Sequence, residues 1–146
     1  MLPTPQLLVA AGAGLLFALG VAHAGLTVRS SPSGGPMTPC DPDLRAVLTR
    51  VGGLGFAPDI RSTLWRAWVG FNLSHALGVM GLSAVAFVMA IASTVVFDDL
   101  CVTVAVLAVP TVYLLLSLRY WFAKPTKAIA VGTGLIYAGI VVHWLG

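Results

Sequence analysis

The chain has 146 residues, the length of one domain and short for two. Hydrophobic residues make up 58% of it and charged residues 9%, against roughly 45–50% and 25% in soluble domains. Eight basic and five acidic side chains, with a net charge of +3, cannot cover a water-facing surface of this size. These numbers exclude a soluble enzyme, a nucleic-acid-binding domain and a disordered chain.

A hydrocarbon core of about 30 Å takes about 20 apolar residues as a helix. Four runs meet that length, at about 6–28, 65–97, 100–118 and 128–146. None alternates in polarity, and an open sheet leaves its edges unsatisfied in lipid. The expected fold class is therefore all-α: an integral membrane four-transmembrane-helix bundle, formed as a single membrane domain over 1–146. In the first run, Ala22-His23-Ala24 has the A-x-A form of a secretory leader's end. No basic residue precedes the run, so it reads as a span.

The connection at 29–64 has two parts. Pro32, Gly34, Gly35, Pro36 and Pro39 predict a flexible loop over 30–39. Asp41-Pro42 then offers a cap and a first-turn proline. Leu44, Val47, Leu48 and Val51 follow at helical spacing, with Arg45 and Arg50 on another face, and Gly52-Gly53 ends the run. This pattern predicts either a short cytoplasmic amphipathic helix on the membrane surface or a connector tucked under the bundle. Asp98-Asp99 suit the N-terminus of the third span, where negative charge meets the helix dipole. Pro110 lies mid-span, removes one backbone donor and predicts a kink.

Charge sets the expected orientation. Arg29, Arg45, Arg50, Arg61 and Arg66 lie between or beside the first two spans, and Arg119, Lys124 and Lys127 between the last two. The other side has only Asp98-Asp99 and the termini. The positive-inside rule puts both basic connections in the cytoplasm of a bacterium, with N- and C-termini outside the inner membrane. Trp65, Trp68, Trp121 and Trp144 all fall at predicted interfaces. Cys40 falls inside and Cys101 outside, so they should not pair.

Close approach of helices in lipid depends on small residues. Gly14, Ala18 and Ala22 form one such stripe, Gly70, Ser74, Gly78, Gly81 and Ala84 a second. Gly132 with Gly139, and Gly134 with Ala138, supply others in the last span. The first, second and fourth spans should form the close-packed centre, and the third should be the most lipid-exposed. The stripes would serve contacts within the chain and, on top of these, a homo-oligomer.

Polar groups inside spans are the candidates for function. They reduce to His23, Asn72, Ser74, His75 and His143, with Tyr113 and Tyr137. Asn72 and His75, at i and i+3, share a face with Trp68. His23 lies six positions before Arg29 and His75 nine after Arg66, roughly 9 and 13 Å inward at ~1.5 Å per residue. His143, sixteen positions past Lys127, falls at the other face, which opposes a three-histidine metal centre. Three readings stay open for His23, Asn72 and His75: an interhelical hydrogen-bond network, a pocket for a quinone, sterol-like lipid or pigment, and a haem, metal or acid–base site. No carboxylate lies inside a span to support catalysis. Arg66 and Arg119 either snorkel to lipid headgroups or line the mouth of the pocket.

Three blocks carry a family resemblance: Gly20-Val21-Ala22-His23-Ala24; Leu64-Trp65-Arg66-Ala67-Trp68-Val69-Gly70-Phe71-Asn72-Leu73-Ser74-His75-Ala76-Leu77-Gly78; and Leu118-Arg119-Tyr120-Trp121-Phe122-Ala123-Lys124-Pro125 before a glycine-rich last span. Their order resembles the small bacterial four-helix membrane proteins of the DoxX-like type, over most of the chain by layout and over these blocks by residue. That type includes subunits associated with quinone-linked oxidoreductases. The resemblance implies a four-helix bundle with an accessory or small-ligand role, in contact with membrane lipids or within a larger membrane complex. The acidic intramembrane residue of an enzymatic member is absent, so no catalytic residue carries over. The expected function is a non-catalytic accessory or scaffold subunit, or a binder of a lipid-like or quinone-like molecule at His23, Trp68, Asn72 and His75 with Arg66 and Arg119. The alternative is a small membrane enzyme or redox protein using His23 and His75.

Overall fold

A computed structural model describes residues 3–54 and 57–146, apart from the side chains of 53–61 and 94. The ends of two readings above, the chain start and the Gly55-Phe56 part of the 29–64 connection, lie outside the described residues, as does the Arg61 side chain. Four helices are long and apolar enough to cross a membrane: α1 (Thr4–Val28), α3 (Leu64–Ala92), α4 (Leu100–Tyr120) and α5 (Ala123–Leu145). Between the first two lie α2 (Pro42–Thr49) and a hairpin of β1 (Val51–Leu54) and β2 (Ala57–Thr63). The chain forms two compact units, one of residues up to Gly20 with Val79–Gly146, the other Val21–Gly78.

Local chemistry explains where the elements stop. The second apolar run was expected to stay helical to 97, but α3 ends at Ala92. Ser93 turns extended and its Oγ accepts from Val95 N at 3.2 Å, opening a 3-10 turn at Thr94–Asp98. Apolarity continues through this turn, but a serine that bonds the backbone locally and a β-branched run after it compete with the helix. Asp99 caps α4, its Oδ1 accepting from Val102 N at 3.0 Å. The last helix starts at Ala123, ahead of the expected 128. Pro125 is tolerated in that first turn because its missing N–H has no intrahelical partner there.

In the Val21–Gly78 unit, α2 begins at the predicted cap, with Asp41 Oδ1 accepting from Asp43 N at 2.8 Å. It ends at Thr49, short of the glycine pair. Gly52 instead pairs with Ser62, and Val51 with Thr63, in an antiparallel ribbon. This ribbon departs from the all-α expectation; two glycines in β1 hide any alternating pattern. The segment expected to be flexible is a hydrogen-bonded turn. Ser31 and Gly34 bridge, Met37 N donates to Ser30 Oγ at 2.9 Å, and Thr38 Oγ1 donates to Ser31 O at 2.8 Å. Gly35 has φ +140°, a conformation that an L side chain rarely adopts.

In the other unit, α1 meets α5 backbone to backbone. A Cβ on Gly12 would lie 2.5 Å from Gly132 O, and one on Gly139 would lie 2.6 Å from Val9 Cγ2. Val9, Ala10, Ala90, Phe97 and Ile140 form one buried cluster, and Leu16, Ile129 and Ile136 another. α4 lies along α5 through Thr111 Oγ1 and Tyr137 OH at 2.8 Å, and through Thr133 Oγ1 donating to Pro110 O at 3.4 Å. Helix α4 runs without interruption through Pro110. Of its most apolar window, 17% is buried, against 33% for α1 and for α5, so α4 is the most exposed of the long helices.

The small-residue stripes need correction. Gly132 and Gly139 do mediate contact, but on α1 the partner is Gly12. A Cβ on Gly14, Gly70, Gly81 or Gly134 would meet nothing within 4 Å. Ala18, Ala22, Ser74, Gly78 and Ala138 are likewise exposed. Spacing identifies a stripe, but a helix carries several, and only the large residues around them decide which one packs.

Candidate functional site

The Val21–Gly78 unit holds the C-terminal part of α1 and the N-terminal part of α3. Both are largely apolar, so few polar side chains are available to meet. His23 and Asn72 do so: His23 Nε2 lies 3.0 Å from Asn72 Oδ1. Asn72 Nδ2 donates to Trp68 O, one turn back on α3, at 2.8 Å. That second bond fixes which way the carboxamide faces. Its oxygen is turned to His23, so the imidazole must carry its proton on Nε2.

His75, one turn beyond Asn72, stands edge-on to His23 with ring centroids 5.8 Å apart. The Phe71 ring lies nearly parallel to the His75 ring, with centroids 6.3 Å apart. His23, Asn72, His75 and Trp68 are each half-buried. Trp68 stacks on the buried Trp65 at 5.2 Å, which fixes the indole within a turn of Asn72. One turn further along α1, Thr27 is fully buried and its hydroxyl donates to His23 O at 2.9 Å.

Of the six residues singled out in the sequence, His23, Trp68, Asn72 and His75 thus come together. Arg66 lies in the first turn of α3 with an exposed side chain, its backbone N–H donating to Thr63 Oγ1 at 3.3 Å. Arg119 belongs to the other unit, where its guanidinium sits 6.0 Å over the Tyr120 ring. Chemically, the cluster presents two imidazoles, a carboxamide and flat aromatic faces in an apolar setting. Among the described residues, no group of three or more His, Cys, Asp or Glu gathers to hold a metal ion.

A second polar cluster, in the other unit, was missed. The sequence pairs Asp98 with Asp99 at the N-terminus of the third span, but only Asp99 caps. Asp98 Oδ1 instead accepts from His143 Nε2 at 2.8 Å. Trp144 Nε1 donates to Phe97 O at 3.1 Å, and the Phe97 and His143 rings meet at 6.1 Å. The signal was present: the orientation argument put the 98–99 link and the end of the last span on one side. The carboxylate that meets a span histidine lies in the link beside the spans and not inside one.

No family model, curated protein or solved structure matches this chain, so the two clusters must be interpreted from their own chemistry.

Proposed function

We propose that this is a small polytopic protein of a bacterial inner membrane that holds a quinone-like or lipid-like molecule by its polar head at His23, Asn72 and His75. In this reading α1, α3, α4 and α5 span the bilayer as a bundle, with the basic connections in the cytoplasm and both termini outside. The role is that of a non-catalytic accessory subunit. One observation carries the ligand: two imidazoles and a carboxamide converge between two apolar helices, 3.0 and 5.8 Å apart, and all stay half-exposed. Imidazole and carboxamide groups gathered in an apolar setting favour the carbonyl of a quinone or the headgroup of a lipid over its hydrocarbon body, and the Trp68 and Phe71 rings offer flat apolar contact to that body.

Helix α2 supports the membrane setting. None of its residues is buried, and Leu44 and Val47 are 48% and 45% exposed. With Arg45 on this short helix and Arg50 at its C-cap, an anionic lipid surface satisfies both kinds of side chain.

The test is fluorescence quenching of the protein in nanodiscs by a short-chain benzoquinone. Saturable quenching with one-to-one stoichiometry, lost in His75→Ala, is expected. Quenching that rises linearly in wild type and variant alike overturns the quinone-like reading.

A further inference from the structure

The unit containing α4 and α5 has an open hollow of about 290 Å³ lined by Asp98, His143 and Trp144. We propose that this hollow binds a small organic cation, a primary amine or quaternary ammonium group. The inference concerns a different unit from the histidine site and stands whether or not that site binds a quinone.

Charge selects the sign of the ligand. Asp98 keeps its carboxylate 65% exposed although His143, 15% exposed, donates to it. Asp99 adds a second negative charge in the same link. The arginine and lysine residues of this unit are far away along the helix axes. Arg119 is nineteen residues beyond Leu100 on α4, and Lys127 sixteen before His143 on α5. At ~1.5 Å per residue these separations are roughly 28 and 24 Å, about three Debye lengths at physiological salt. The carboxylates therefore set the local potential.

Shape and lining select an organic ion. The hollow of about 290 Å³ is roughly ten times the ~30 Å³ share of one water. Among the described residues no three-ligand metal group occurs. Trp144 stands 57% exposed, and its N–H is committed to Phe97 O. Phe97 is itself fully buried, so the indole is anchored to a rigid point. An ammonium group between the Asp98 carboxylate and an indole face gains ion pairing and cation–π attraction together.

The experiment follows the Trp144 indole N–H resonance, assigned with Trp144→Phe, for the full chain in phosphatidylglycerol nanodiscs. Tetramethylammonium chloride is exchanged for sodium chloride at constant ionic strength. A saturable shift is expected, with half-saturation raised at least tenfold in Asp98→Asn. tert-Butyl alcohol, similar in size and uncharged, is expected to give no saturable shift; this comparison needs no variant. No saturation with tetramethylammonium, or equal responses to both probes, overturns the proposal. Adding phosphatidylethanolamine separates two sources of the group. A threefold or larger rise in half-saturation assigns the site to a lipid headgroup, and an unchanged value to a free amine.

Discussion

The contact between α1 and α5 makes a prediction that spacing alone could not. A methyl group on Gly12 would lie 2.5 Å from Gly132 O and 2.8 Å from Ile136 Cγ1. The first neighbour is backbone, so the helices must part by most of an ångström. Overpacking of this kind costs roughly 1–3 kcal/mol, offset by about 0.5–1 kcal/mol for removing a helical glycine. Gly12→Ala should therefore lose about 0–2.5 kcal/mol, centred on ~1 kcal/mol, or about 2–4 °C in Tm at that centre with ~2–4 °C per kcal/mol. Gly14→Ala is the control: its methyl meets nothing within 4 Å, leaving only the gain of about 0.5–1 kcal/mol. Thermal unfolding in one detergent, followed by circular dichroism, compares the two. Equal Tm values, or a lower Tm for Gly14→Ala, would refute the backbone contact.

Other consequences follow from single residues. Phe97 is fully buried at the centre of its cluster, so Phe97→Ala should cost about 3–5 kcal/mol, measured by the same melts. Asn72→Ala removes the acceptor of the His23 bond; about 0.6–2 kcal/mol should be lost. A double-mutant cycle with His23→Ala should then show non-additivity of similar size, and strict additivity would count against the bond. Cys40 and Cys101 are both exposed thiols. With a membrane-impermeant maleimide on intact cells, Cys101 should label and Cys40 should not; the reverse pattern inverts the orientation.

Much of the fold was legible because membrane helices follow from length and apolarity alone. The Asp41 and Asp99 caps were legible for the same kind of reason, since one carboxylate meets the free N–H groups beside it. What was hidden depended on partners distant in sequence. Gly12 and Gly14 look alike in composition, and only Ile136 and Gly132 across the gap distinguish them. At the histidine site, helical spacing put Asn72 and His75 on one face, and counting from Arg29 and Arg66 put His23 at a similar depth. Depth counting works because rise per residue is fixed. It said nothing of azimuth, which is why the His23–Asn72 bond had to be observed. Arg119 shows the limit of that method: closeness to a span end says nothing of which side chains a residue meets, and its guanidinium lies over the Tyr120 ring.

Native mass spectrometry of the protein released from a mild detergent tests the central claim most directly. A discrete added mass on the wild type, absent from a folded His75→Ala variant, is the predicted result. A bare chain, or one carrying the same ordinary phospholipids as the variant, would contradict a ligand at His23, Asn72 and His75.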